Sequence, residues 1–415
     1  MRLQPPGATP ADLAADLTDP HLYAEGEPHL IWHHLRLTDP VSWRSTAAGQ
    51  GYWSIARHAD VDRVLRDPTT FTSSRGTFLN VLGKVDPAAG RQLATTDPPQ
   101  HTVMRRSLQR PLSIRSAADQ EAMIRQLVRA ALGPALATGS TDLASTLAGL
   151  PVATLGTMMG VPEGDWPELT ELSLRAVAPD EWPLPQGPKA TLQRAHRALF
   201  AYFQDLAEER RHRPGTDLMS ALLSMHSGGG RDTGSVVSNC YSLMVGAATW
   251  SHAPTGALVE LAASGRYREW ARQPELLDPL VEEAVRWTSP ANHFLRHTTT
   301  ETELGGRTLP AGAPVVVWLG SANRDATVFT DPYTFDPTRR SNSHLGFGSG
   351  PHNCLGAALA RRMIRIVFEE LFAAVDDIAL AGEVRHIASN FVAGYRSAPL
   401  DLRVREVPHP TGGTP

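Results

Sequence analysis

Residues 347–356 read Phe-Gly-Ser-Gly-Pro-His-Asn-Cys-Leu-Gly. Behind them Leu355, Leu359, Met363, Val367 and Leu371 recur at every fourth position, the apolar stripe of an amphipathic helix. Cys354 therefore stands at the mouth of a helix, after a loop that carries Gly348, Gly350 and Pro351. A helix N-terminus holds roughly half a positive charge and several unpaired N–H groups, and both favour a thiolate over a thiol. Glycine lets the backbone approach a flat partner closely where a Cβ would intervene.

Three readings fit such a cysteine. It can be a structural thiol buried under a Gly-rich turn. It can join His352 as a zinc ligand pair, although zinc sites usually take four ligands and the chain has only one other cysteine, Cys240. It can ligate haem iron, where a thiolate donates electron density and promotes O–O cleavage.

The ten-residue string closely resembles the haem-binding signature of the cytochrome P450 family, with a phenylalanine and two glycines at fixed spacing before the cysteine. The resemblance implies haem b (iron protoporphyrin IX) as cofactor, Cys354 as the metal ligand, and Phe347, Gly348 and Gly356 as parts of its cradle. It implies a mainly α fold with minor β sheets, in one large domain.

More distant segments resemble the family in the right order. Glu283-Ala284-Val285-Arg286 places a carboxylate and a guanidinium on one helix face. On a surface such a pair contributes under about 1 kcal/mol. The family carries it buried beside the haem loop with a third partner, for which Arg339 or Arg340 is the candidate. His101 and Arg105, at i and i+4, match the helix that supplies donors to a haem propionate. Arg296 and His352 complete that implied set, since two ionised propionates entering an interior need partners. The likeness runs from about residue 20 to residue 404.

One stretch departs from the pattern. The family's long helix over the haem usually pairs an acid with a threonine for proton delivery. Here the run is Met244-Val245-Gly246-Ala247-Ala248-Thr249-Trp250-Ser251-His252-Ala253-Pro254. Thr249 matches the alcohol and is the candidate catalytic residue, but Ala248 stands where the acid would be. Ala247 and Ala248 leave room for a substrate. Pro254 would free the Trp250 carbonyl and kink the helix. Protons would then come from water, the substrate, His293 or His252.

The whole chain has 415 residues, 41% of them hydrophobic and 20% charged, with a formal charge of −4. That balance offers no basic field for nucleic acid. Two cysteines exclude a disulfide framework and suit a cytoplasmic location. Neither a leader nor a membrane-spanning run of about 20 apolar residues is seen. Residues 1–19 and 405–415 read as flexible ends around a haem-thiolate domain over 20–404. A strand is expected at Gly51–Ile55, a helix from His58 to Leu65, a long loop over 72–97, helices from 100 to 290, and strands at Thr298–Leu304, Val315–Leu319 and Leu400–Val404.

The substrate pocket is expected to include Phe78, Leu79, Ala247, Ala248, Asn292, His293, Phe294 and Tyr395, the last within the run Val392–Arg396. Their mixture suits a medium-sized polar or aromatic molecule, such as a specialised metabolite. Electrons would come from an iron–sulfur ferredoxin and its reductase, docking on Arg361, Arg362 and Arg365. Monooxygenation, by hydroxylation or epoxidation, is the expected reaction. The alternatives are an atypical enzyme needing little proton delivery (peroxide-driven, radical-coupling, or using a substrate with its own N–O or O–O bond) and a non-catalytic haem sensor.

Overall fold

The computed structural model describes residues 15–84, 86–227 and 233–406. Long helices build most of it: Gln100–Gln109, Glu121–Thr138, Leu150–Met159, Trp166–Val177, Pro188–His212, Thr233–Ala247, His252–Ser264, Leu277–Thr288 and Ala357–Ala374. Their apolar stripes meet in one core cluster that includes Val128, Leu155, Phe203, Met244, Leu258, Leu280 and Met363. Among the described residues four small sheets accompany them. The largest runs, in order, Val41–Ser45, Gly51–Ile55, Pro314–Trp318, His293–Thr298 and Phe71–Thr72. Gly51–Ile55 pairs parallel with Pro314–Trp318, and the other neighbours are antiparallel. The fold is mainly α with minor β, as the sequence indicates.

The edges of the elements shift in instructive ways. The expected strand over 298–304 divides into His293–Thr298, which crosses the main sheet, and a separate hairpin of Thr302–Leu304 with Arg307–Leu309. Gly305 and Gly306 make its turn, both at positive φ. The loop over 72–97 holds single 3₁₀ turns at Leu79–Val81 and Leu93–Thr95 and is tied at its base by Asp97.

Of the segments read as loose ends, residues 1–14 and 407–415 lie outside the described residues. Residues 15–19 are packed: Leu17 is fully buried, its carbonyl accepts from Tyr23 Oη at 2.8 Å, and Thr18 O accepts from Asn390 Nδ2. The packed body therefore starts ahead of residue 20. Among the described residues no helix is long and apolar enough to cross a membrane.

The expected long helix over residues 244–254 is two helices. Thr233–Ala247 ends, a turn spans 248–251, and His252–Ser264 begins. Tight i→i+3 bonds bridge the gap: Trp250 N to Ala247 O at 2.9 Å, His252 N to Thr249 O at 3.3 Å, Ala253 N to Trp250 O at 3.3 Å. Pro254 is thus the third residue of a new helix, in the first turn, where no N–H is required. The proline ends up starting a helix instead of kinking one.

Candidate functional site

The cysteine loop is fixed by its own backbone. Cys354 N–H donates to Phe347 O at 2.7 Å, and Gly348 N–H to Leu345 O at 2.7 Å. Gly350 has φ +68°, and a Cβ there would fall 2.7 Å from Leu65 O and the Arg66 Cα. Only glycine allows the loop to lie against that helix. Gly356 caps the Ala357–Ala374 helix, so Cys354 precedes its first turn.

Burial pushes the Cys354 thiol up, against the Gly356 N–H and the Arg105 and Arg361 guanidinium groups, which pull it down. Burial wins, which corrects the simple expectation from the helix terminus. A bound metal would counter that burial, because it deprotonates a coordinating thiol outright.

Cys354 faces a cavity of about 1280 Å³. Pockets for one small molecule usually occupy roughly 300–1,000 Å³, so this one has room for a flat prosthetic group and a substrate together. His101, Arg105, Phe347, His352 and Gly356 line it with Cys354, as do Thr249, Ala247, Phe78, Leu79, His293 and Phe294. Three expected pocket residues do not. Asn292 turns its amide oxygen to Gly320, where a Cβ would meet it at 3.0 Å. Tyr395 packs its ring on His386 at 4.8 Å and against Gly256. Ala248 is buried in the turn. From the neighbouring loop Ser389, Asn390 and Phe391 line the cavity, whereas Val392 packs into a separate apolar cluster and Arg396 pairs with Glu181 at 2.9 Å.

The propionate candidates converge only in part. The His101 and His352 rings are 4.3 Å apart. His352 Nε2 lies 3.2 Å from Ser73 Oγ and 3.4 Å from Asp97 Oδ1. Burial raises the Asp97 carboxyl, but bonds from His352, Thr72 and Ser73 N–H outweigh it and hold it at about 2. Arg105 donates to Asn353 O and Oδ1 at 2.9 and 2.7 Å, clamping the residue before the cysteine. Arg296 lies behind the lining, its guanidinium 5.8 Å from the Phe294 ring, and burial lowers it to about 10.

Haem fits this set. Among the described residues His101 Nε2 is buried with no partner and the Arg296 guanidinium donates only to the Leu295 carbonyl, and the surplus of cationic donors suits a group with two carboxylates.

The neighbouring ion pair is built as the resemblance implies, and Arg339 is its third partner. Arg286 donates from Nε and Nη2 to Glu283 at 2.7 Å, Arg339 Nε donates at 3.1 Å, and Asp336 N–H and Asn342 Nδ2 fill the remaining lone pairs. Glu283 and Arg286 are both fully buried.

Other expectations change. His293 is no proton source: its Nε2 accepts from Leu79 N–H at 3.2 Å, its Nδ1 lies 3.0 Å from Asn390 O, and burial holds it neutral at about 4. It pins two walls of the cavity together. His252 lies against Gly394, outside the lining residues. The three arginines after the cysteine are already paired, Arg361 with Glu282 at 2.6 Å, Arg362 with Glu121 at 2.9 Å, and Arg365 with Glu369 at 2.8 Å and Asp278. They are not a free basic patch.

The roles of two groups of residues are not written in the sequence. Trp250 packs on Gly356, and Arg361 lies 4.3 Å over the Phe347 ring. On the far wall stand Asp86, His196, Phe200 and Tyr241. No local signal marks these, because each joins the site only through tertiary packing.

Comparison with known proteins agrees with this architecture. Residues 269–374 match the family description Cytochrome P450. The chain is 34% identical to Cytochrome P450 NovI of Streptomyces niveus, covering 96% of this chain and 98% of that one. It is 32% identical to linalool 8-monooxygenase of Pseudomonas putida, over 92% and 97%. Among solved structures, P450 OxyD, involved in the biosynthesis of vancomycin-type antibiotics, superposes with a TM-score of 0.85 at 33% identity, covering 94% of this chain and all of that one. A cysteine loop aimed into a large cavity, a buried Glu-x-x-Arg pair beside it, and identity along nearly the full length of both chains lead to one conclusion: this chain belongs to the cytochrome P450 family of haem-dependent oxidoreductases.

Proposed function

We propose that the enzyme is a monooxygenase that hydroxylates or epoxidises a medium-sized aromatic or polar specialised metabolite, with haem b held by Cys354. The observation that carries this reading is Cys354 facing a cavity large enough for cofactor plus substrate, with Thr249 in its wall. Haem held through the Cys354 sulfur would supply dioxygen activation and O–O cleavage. His101, Arg105, Arg296 and His352 would hold its propionates. Phe347, Gly348 and Gly356 shape the loop under it. A relative named linalool 8-monooxygenase and a similar structure involved in the biosynthesis of vancomycin-type antibiotics support the class of reaction and of substrate.

Thr249 Oγ1 donates to Gly246 O at 3.0 Å and has no carboxylate partner among the described residues. With His293 bonded between two walls of the cavity and His252 outside its lining, protons would reach the reacting centre from water in the cavity or from the substrate. This same feature supports the second reading, an enzyme with little need for proton delivery. Reconstitution with a ferredoxin, its reductase and NADH, compared with peroxide alone, separates the two. Efficient dioxygen-dependent product formation supports the first, and turnover with peroxide only supports the second.

The reductant, a ferredoxin in this proposal, would dock on residues 100–118 rather than on Arg361–Arg365. That stretch contains no acid, and Arg106, Arg110 and Arg115 are exposed without an ion pair among the described residues. Exposed Val103 and Ile114 lie among them, and Arg105 links the stretch to the cysteine loop. An acidic partner suits that surface. The two cysteines, both free, accord with a cytoplasmic site of action.

A further inference from the structure

The far wall of the cavity is built of groups that the chemistry at Cys354 does not use. Asp86 comes from the loop over 72–97, His196 and Phe200 from one face of the Pro188–His212 helix, and Tyr241 from Thr233–Ala247. Phe200 and Tyr241 stack at 4.3 Å with planes 19° apart, and His196 meets Tyr241 edge-on at 5.6 Å. Asp86 is buried, at 8% exposure. One of its oxygens accepts from Ala88 N–H at 2.8 Å. Among the described residues no cation pairs with it, and neither its second oxygen nor the Tyr241 hydroxyl has a hydrogen-bond partner.

A buried carboxylate is costly unless something compensates it. Here the compensation is not supplied by the surrounding side chains. His196 is held below its ordinary value by burial, against the pull of Asp86. Lys84 and Arg91 also line the cavity but are exposed, and Lys84 Nζ turns to Asn80 O at 3.3 Å. Asp86 lines the same cavity as the two stacked rings, and its charge reaches His196 and Tyr241; a carboxylate that shares a pocket with an open aromatic face suits a cation, which pairs with the charge and lies against the ring.

We propose that Asp86, Tyr241 and Phe200 form a subsite for a protonated amine carried by the substrate. This rests on the haem-thiolate reading above and narrows its substrate class to aromatic amines of defined reach. Tyr241 lies six residues before Ala247, about 9 Å along the helix axis at 1.5 Å per residue. The turn that follows carries Thr249 and Trp250, and Trp250 abuts the cysteine loop at Gly356. A substrate anchored at the far wall and oxidised near Thr249 therefore separates its amine from the reacting carbon by roughly that length.

The test uses the haem-loaded enzyme and two neutral-to-charged isosteres that cannot ligate iron: trimethyl(phenylethyl)ammonium and the hydrocarbon with a tert-butyl group in place of the trimethylammonium. Binding is measured by calorimetry and by the ligand-induced change in the haem absorption. The wild type should bind the ammonium about tenfold more tightly than the hydrocarbon. Asp86→Asn should erase that preference by weakening the ammonium alone, and Tyr241→Leu should reduce it. Equal binding by the wild type, a preference untouched in Asp86→Asn, or tighter binding of phenylpropionate than of either probe overturns the subsite. Failure of the haem-thiolate reading is distinguishable, because it would appear as loss of the thiolate-type absorption of the unliganded enzyme.

Discussion

A Cβ placed on Gly356 would lie 2.5 Å from the indole ring of Trp250. The helix break at 248–251 and the cysteine loop are thus packed directly on one another, and the glycine two residues after Cys354 is required by a side chain more than a hundred positions earlier. Gly356→Ala must displace that ring, an overpacking that typically costs about 1–3 kcal/mol. Urea unfolding of the haem-loaded protein should show the loss, and Trp250→Phe in the same background should recover part of it. An alanine variant as stable as the parent would mean that the ring moves freely.

Thr249 stands alone in the cavity wall where the family pairs an alcohol with an acid. Thr249→Ala should reduce product formed per reducing equivalent, with the missing equivalents released as peroxide. General acid–base contributions are commonly about a hundredfold or more, so the change in coupling should be large. If coupling is unchanged, water or substrate supplies protons without Thr249.

Glu283 holds two buried guanidinium groups. Removing it as Glu283→Ala leaves Arg286 and Arg339 without their counter-charge, a loss of about 3–5 kcal/mol. The variant should fail to accumulate as a folded haem protein, while Arg340→Ala should match the parent within about 0.5 kcal/mol. Soluble yield and unfolding midpoints read both. Equal behaviour of the two variants would sink the assignment of Arg339 as the third partner.

His252 and His293 are both held at about 4 by burial, against an ordinary value of 6.5. Between those values the unfolded chain binds protons that the folded chain does not. Stability is therefore complete above about pH 6.5 and declines as pH falls toward 4. Unfolding midpoints measured from pH 7 to 5 should fall, and His293→Gln should flatten that slope. A slope unaffected by the substitution would mean that the ring is hydrated.

If the acidic donor docks on residues 100–118, Arg110→Glu should raise the KM for ferredoxin several-fold, most strongly at low salt. Arg362→Gln should not, because its charge is already satisfied by Glu121. The opposite ranking would return the docking face to the helix after the cysteine.

Local patterns carried much of this structure. The cysteine loop, the stripe from Leu355 to Leu371 and the Glu283–Arg286 pair are each written within one short segment, so spacing shows the helical stripe and the shared helix face, and the family resemblance supplies the roles of the cysteine and of the pair. What depends on several segments was not legible. The pairing of Arg361, Arg362 and Arg365 needs Glu282, Glu121 and Asp278, which lie far away in sequence. Asn292 and Tyr395 lie near cavity residues in the chain but turn their side chains into other contacts. Pro254 predicts a disturbance in any helix, yet only the turn at 248–251 decides whether it kinks one helix or opens a second. The far wall with Asp86 and Tyr241 is visible only once three elements have packed.

The most direct measurement is the absorption spectrum of the reduced, carbon-monoxide-treated, haem-loaded enzyme beside its Cys354→Ser variant. Sulfur coordination by residue 354 predicts the red-shifted thiolate-type Soret band in the parent and its loss in the serine variant. The same band in both proteins, or its absence from the parent, would contradict the account.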